Sequence, residues 1–336
     1  ELWRSKRRRE ILVRQALSAH QFYKRDRDYL IQDDKIQIID QATGRLMPER
    51  SWEQGLHQMI EAKEGCVISE RREPQARISY QRFFSRYLRL AGTSGTLDEV
   101  KQELQRVYGL QVRKVAPRKP CIRRNFGTRV YRNLDDKRTA LIQRIAEMQQ
   151  SGRPVLVGTC SVEESEEASA WLQDAGIQHQ VLNARQDQHE ADIVAVAGQR
   201  GAVTVATNMA GRGTDIALGD GVDELGGLHV ISISLNDTQR LDRQLFGRGA
   251  RQGDPGSAEI ILSLQDEKLS ACRGRALMLW TSRILGRGHT VPQWIARPLL
   301  RRAQSRFESR QNKIRKALTK QDKQYRRILA FSGKFQ

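Results

Sequence analysis

Between about residues 137 and 265, apolar runs alternate with amphipathic stretches, and this pattern limits the possible folds more than any other feature of the chain. The apolar runs fall at 154–159, 179–183, 202–206, 228–233 and 258–264; helix-period stretches fall at 137–150, 162–175, 187–198 and 237–247. Strands separated by whole helices cannot pair as hairpins. The spacing therefore predicts an α/β fold with a parallel sheet covered by helices, and a functional site in the loops at the carboxyl ends of the strands. Ser161 and Glu164 predict a capping box at the start of the helix over 162–175.

Outside that region, residues 1–23 read as a helix and Tyr29 to Asp40 as two short β runs around Asp33-Asp34. Residues 76–92 are aromatic-rich and read as helical up to Gly92. In the tail, two rows of apolar residues, Ala303/Ile314/Tyr325 and Phe307/Leu318/Leu329, repeat every 11 residues. Eleven residues fill three helical turns, so the tail is expected to be one long helix laid along another surface.

The chain carries 58 Lys+Arg against 39 Asp+Glu, a formal charge of +19 that implies a polyanionic partner: nucleic acid, anionic lipid or nucleotide phosphates. No run of 18 apolar residues occurs, so membrane contact is expected to be peripheral. The cysteines, Cys66, Cys121, Cys160 and Cys272, are far apart and form neither a metal pair nor a disulfide framework, which points to a reducing cytoplasmic compartment. No secretory signal is found, and the start at Glu1 suggests a fragment of a longer protein.

The residues that carry chemistry lie between Thr204 and Asp254. After the apolar run at 202–206 comes Thr207-Asn208-Met209-Ala210-Gly211-Arg212-Gly213-Thr214-Asp215, whose small residues allow a ligand close to the backbone. Arg212 offers a planar fork to phosphate, and Asp215 an acceptor for a ribose hydroxyl or an arginine. Further on, Gln244-Leu245-Phe246-Gly247-Arg248-Gly249-Ala250-Arg251-Gln252-Gly253-Asp254 places two arginines three apart. On a helix end they would share a face, suited to the charge that develops on a transferring γ-phosphoryl group. His229 reads as a buried strand residue, His57 as packed near Trp52, His189 as a solvated helix start and Cys160 as packing.

These two segments resemble the fifth and sixth motifs of a RecA-like, superfamily 2 helicase-type motor lobe. Their wording goes further. Ala206 to Ile216, Gly226-Gly-Leu-His-Val-Ile231 and Arg251-Gln-Gly-Asp-Pro-Gly-Ser257 resemble the SecA family of ATP-driven preprotein translocase motors. So do Thr43-Gly-Arg-Leu-Met47, Leu90-Ala-Gly-Thr-Ser-Gly-Thr96 and Ile314-Arg-Lys316. The resemblance implies that 1–39 ends a preprotein-binding insertion and 40–115 closes the first nucleotide-binding lobe. It further implies that 116–265 is the second lobe and 266–336 the start of a helical scaffold. It assigns catalysis to Arg248 and Arg251, and nucleotide contact to Asp215, Arg212, Gly211 and Gly213.

ATP and Mg²⁺ are the implied cofactors. The sequence contains no GxxxxGK[ST] loop and no DEAD-type acidic box, so the Mg²⁺ ligands are expected outside it and no metal ligands are assigned within it. Without that machinery the chain alone is expected to be inactive. The implied partners are an unfolded preprotein, a membrane protein-conducting channel and anionic lipids at the inner face of the cell membrane, with a homodimer left open. Nucleic acid is disfavoured, because 29–65 and the tail have no counterpart in ordinary helicases. The sequence departs from the family at Ser232 to Arg240 and at Ala250, where a glycine is usual. The alternatives are a nucleic-acid helicase lobe and a non-hydrolytic interaction module.

Overall fold

A computed structural model describes residues 5–40, 46–70, 78–183, 190–207, 213–272 and 289–331. The chain divides into two compact units: Glu1–Glu73 with Arg138–Ser234, and Pro74–Lys137 with Leu235–Gln336.

In the first unit, α1 (Lys6–Gln21) is followed by β1 (Tyr29–Gln32), β2 (Lys35–Ile39), β3 (Leu46–Met47) and α2 (Leu56–Glu64). β1 and β2 form the expected hairpin, with Gln32 opposite Lys35. Asp33 and Asp34 both have positive φ, 51° and 57°, the backbone of a two-residue turn whose twist matches that of paired strands. Ala19, Tyr29, Ile36, Leu56, Ile60 and Cys66 form a small core beneath it. The Tyr29 hydroxyl donates to Glu64 Oε1 at 2.6 Å and accepts from Lys63 Nζ at 3.0 Å. Burial and then that bond to Glu64 raise the Tyr29 phenol, while the same bond lowers the Glu64 carboxyl. His57 lies 5.7 Å from the Trp52 ring, with Nε2 at 3.4 Å from Glu61 Oε1, as the packing role expected.

The same unit holds the parallel strands β5 (Val155–Thr159), β6 (Gln180–Leu182), β7 (Val203–Thr207) and β8 (Leu228–Ser232) in the order β8-β5-β7-β6, with α6 (Val162–Asp174) and α7 (Glu190–Val196) as crossovers. Every residue of β5, β7 and β8 is buried, including His229, which accounts for their unbroken apolar runs: a parallel sheet is covered on both faces. The capping box forms with a shift. Ser161 Oγ accepts from Glu164 N at 3.1 Å, but the carboxylate reaches back to the N–H of Cys160, one residue before the cap, at 2.8 Å.

In the second unit, β4 (Arg124–Tyr131) pairs in parallel with β9 (Gly256–Ser263). The unit also holds α3 (Tyr80–Phe84), α4 (Lys101–Tyr108), α8 (Gln239–Phe246), α9 (Glu267–Ser270) and α10 (Gln293–Phe331); α5 (Leu134–Gln150) carries the chain from this unit to the first. The helix expected over 76–92 shrinks to the five residues of α3. The rings of Tyr80, Phe83 and Phe84, and of Tyr87 just beyond it, pack on one another in stacked and edge-to-face pairs while remaining exposed, so no burial extends it. Leu262, Leu264, Leu235, Leu269, Leu299 and Ala303 belong to the core that seats α10. Among the described side chains of the 11-residue stripe, Ala303 is fully buried, whereas Ile314 and Leu318 are 47% and 44% exposed. The side chains of Tyr325 and Leu329 lie outside the described set.

Candidate functional site

The parallel register places Thr159 beside Thr207 and Gly158 beside Ser232, so the carboxyl ends of β5, β7 and β8 share one edge of the first unit. Glu164 organises that edge, accepting from Ser234 Oγ at 2.6 Å as well as from the Cys160 N–H at 2.8 Å. Thr207 ends β7, and its buried Oγ1 has no hydrogen-bond partner among the described residues. A buried hydroxyl without a partner costs about 1–3 kcal/mol, which is tolerable where a ligand supplies the missing bond.

Beyond β7, Gly211 and Arg212 lie outside the described residues. Gly213 has φ +91°, a conformation that L side chains rarely adopt. Asp215 is exposed on the irregular segment that follows. That segment is pinned further along: Gly219 N donates to Gly198 O at 3.0 Å, and a Cβ on Gly198 would collide with the Ala217 carbonyl oxygen.

In the second unit the two arginines sit together, but not on a helix. α8 stops at Phe246, and Arg248 and Arg251 belong to the loop after it. This corrects the helix-face expectation, and the cause is backbone conformation. Ala250 and Gln252 have φ of 56° and 52°, and Gly253 has 90°, so the chain leaves the right-handed region three residues past the cap. Arg248 is 9% exposed. Arg251 is half-buried and donates from Nε to the Gly247 carbonyl at 2.7 Å.

The end of α8 gathers positive charge that the sequence reading missed. Arg123 Nη1 donates to the Phe246 carbonyl at 2.9 Å, so guanidinium groups bond the last carbonyl of the helix and the carbonyl of its C-cap, Gly247. The Lys119 side chain packs so closely over Gly253 that a Cβ there would lie 2.6 Å from its Cδ. Arg123 and Lys119 come from a basic stretch more than a hundred residues earlier, and nothing local in it marks a partner. Four cationic side chains around one loop favour a polyphosphate.

Upstream, α8 is held by Asp242. This buried carboxylate accepts from Asn236 Nδ2 at 2.7 Å and from Gln304 Nε2 of α10 at 2.6 Å. Burial pushes its carboxyl up, against these two bonds, which favour the ionised form. His189 lies outside the described residues, and among those described no group of three or more His, Cys, Asp or Glu could hold a metal ion. No described helix is long and apolar enough to cross a membrane.

A family model described as the SecA P-loop domain matches residues 120–224 and 219–284, and one described as the SecA preprotein cross-linking domain matches residues 1–61. A protein translocase subunit SecA 2 of Nitrosospira multiformis is 45% identical over 99% of this chain and 50% of its own length. A protein translocase subunit SecA 3 of Magnetococcus marinus is 46% identical over 100% of this chain and 51% of its own length. The chain thus spans about half the length of these curated relatives. Among solved structures, the E. coli DEAD-box protein SrmB bound to regulator of ribonuclease activity A matches at 22% identity and a TM-score of 0.37, over 47% of this chain and 87% of that one.

Proposed function

This chain belongs to the SecA family, and from that premise we propose that it is part of an ATP-driven motor that moves unfolded preproteins through a membrane channel. The observation that carries this reading is the loop after α8, where Arg248 and Arg251 are held by the local fold at a helix end that also gathers Arg123 and Lys119. In this reading the two arginines stabilise charge developing on the γ-phosphate, and Asp215, Arg212, Gly211 and Gly213 contact the nucleotide. The donor set of that loop fits such a ligand, because guanidinium forks match phosphate oxygens. Mg²⁺ would screen the phosphates where a phosphate loop and an acidic box stand, and this sequence contains neither.

Residues 1–39 then belong to the preprotein-binding insertion, 40–115 to the first lobe, 116–265 to the second and 266–336 to the scaffold. The preprotein cross-linking model over 1–61 supports contact with the translocating polypeptide. The net charge of +19 suits anionic lipid at the inner face of the cell membrane, where each engaged Lys or Arg contributes about 1 kcal/mol.

The test compares the chain alone with the full-length protein. Purified 1–336 is expected to hydrolyse no ATP above background, because most of the transition-state stabilisation comes from the phosphate loop and metal site. The full-length protein is expected to hydrolyse ATP, and faster when an unfolded preprotein is added. Steady turnover by the chain alone, abolished by Arg251→Ala, would overturn the division of labour.

A further inference from the structure

α10 turns mostly small and apolar residues toward its core, among them Ala296, Leu299 and Ala303. Gln304, next to Ala303, is nonetheless 8% exposed and spends its amide on one oxygen, Asp242 Oδ2. The other Asp242 oxygen is taken by Asn236, itself 1% exposed. An apolar contact at this place would hold the helices at least as firmly, since a buried amide and carboxylate both lose hydration. What the polar contact adds is direction. A hydrogen bond at 2.6 Å fixes the rotation and height of one helix against the other, which a greasy contact does not.

Asp242 stands four residues before Phe246, one turn from the arginine loop. Other polar ties of α8 among the described residues include Gln244 Nε2 to Thr96 Oγ1 at 3.3 Å, an ion pair between Arg243 and Glu99, the Gln239 N–H to Glu308 Oε1 of α10 at 3.4 Å, and the bond from Arg123 to the Phe246 carbonyl. α10 is tied to the same neighbourhood by a two-pronged Arg315–Glu103 pair at 2.7 and 3.0 Å. Of these contacts, only the one through Gln304 is buried on both sides.

We propose that Gln304 is a positioning residue for the arginine loop: through the Asp242 carboxylate it sets the orientation of α8, and so where Arg248 and Arg251 point. The proposal rests on the reading of those arginines as the groups that meet the γ-phosphate. Displacing α10 by a fraction of an ångström then moves the loop with it, which gives the long helix a grip on turnover without touching nucleotide.

The chemistry of the pair supplies a test by exchange of donor and acceptor, made in the full-length protein at pH 8. Gln304→Glu sets two carboxylates face to face and is expected to lower kcat about tenfold or more, with the KM for ATP within about threefold of wild type. Asp242→Asn is expected to be mild, because the Gln304 amide can turn its oxygen to the new donor. Asp242→Asn combined with Gln304→Glu restores a donor and an acceptor, and turnover is expected to return to within about threefold of wild type. Should Gln304→Glu fail to fold, as judged by circular dichroism, the double variant must still fold and turn over.

Three results overturn the proposal: wild-type turnover in Gln304→Glu, a double variant as slow as Gln304→Glu, or equal losses in kcat and nucleotide affinity, which would mean general loosening. Arg251→Ala, measured alongside, separates the two failures. If it turns over normally, the reading of the arginines is wrong; if it is slow while Gln304→Glu is normal, only the role of Gln304 is wrong.

Discussion

Arg251→Ala in the full-length protein is expected to lower ATP turnover about 10³-fold while changing nucleotide affinity only a few-fold. The loop geometry explains the asymmetry. Arg251 is fixed by its own Nε bond to the Gly247 carbonyl, so its charged head is already oriented before charge develops, and its loss falls on the transition state. Part of the effect is structural, because the same substitution removes a donor from the end of α8 at about 1 kcal/mol. Arg251→Lys keeps the charge but not the fork, and should recover only a fraction of the rate. Arg248→Ala is expected to match it in turnover with a larger stability loss, since Arg248 is 9% exposed and leaves a cavity. Asp215→Ala should behave differently, weakening nucleotide binding first. Separate measurements of affinity and turnover decide, and wild-type turnover in both arginine variants would reduce the pair to a structural feature of the loop.

Leu262→Ala is expected to lower the unfolding free energy by ~2–5 kcal/mol, the range for emptying a packed site. Leu262 is fully buried on β9 in the core that also receives Leu264, Leu269, Leu299 and Ala303, so its side chain supports both the β4–β9 pair and the seat of α10. Leu318→Ala, on the same long helix but 44% exposed, should change stability by less than about 0.5 kcal/mol. Urea unfolding followed by circular dichroism measures both, and equal small shifts would contradict this placement of the core.

β5, β7 and β8 could be read from the sequence because burial on both faces leaves an apolar run with no polar alternation. β4 could not. Its first four residues are exposed and only Val130 and Tyr131 are buried, so no pattern announces a strand whose partner, β9, lies 130 residues away at Arg129 and Glu259. The hairpin was legible from Asp33-Asp34, since aspartate tolerates the left-handed backbone such a turn needs. The arginine loop was legible in composition but not in shape. Ala250 and Gln252 adopt positive φ without being residues that signal it, and so two arginines placed on a helix face belong to a loop. Arg123, Lys119 and Gln304 were invisible for another reason: their significance lies in contacts across long sequence separations, and no local spacing encodes those.

In the proposed function, chemistry at the arginine loop drives movement of a polypeptide. Its most direct measurement is protease protection of an unfolded preprotein in membrane vesicles carrying the channel, with the full-length protein and ATP supplied. Protection is expected to require hydrolysable ATP and to disappear with Arg251→Ala. A full-length protein that hydrolyses ATP, is stimulated by RNA and protects no preprotein would contradict it.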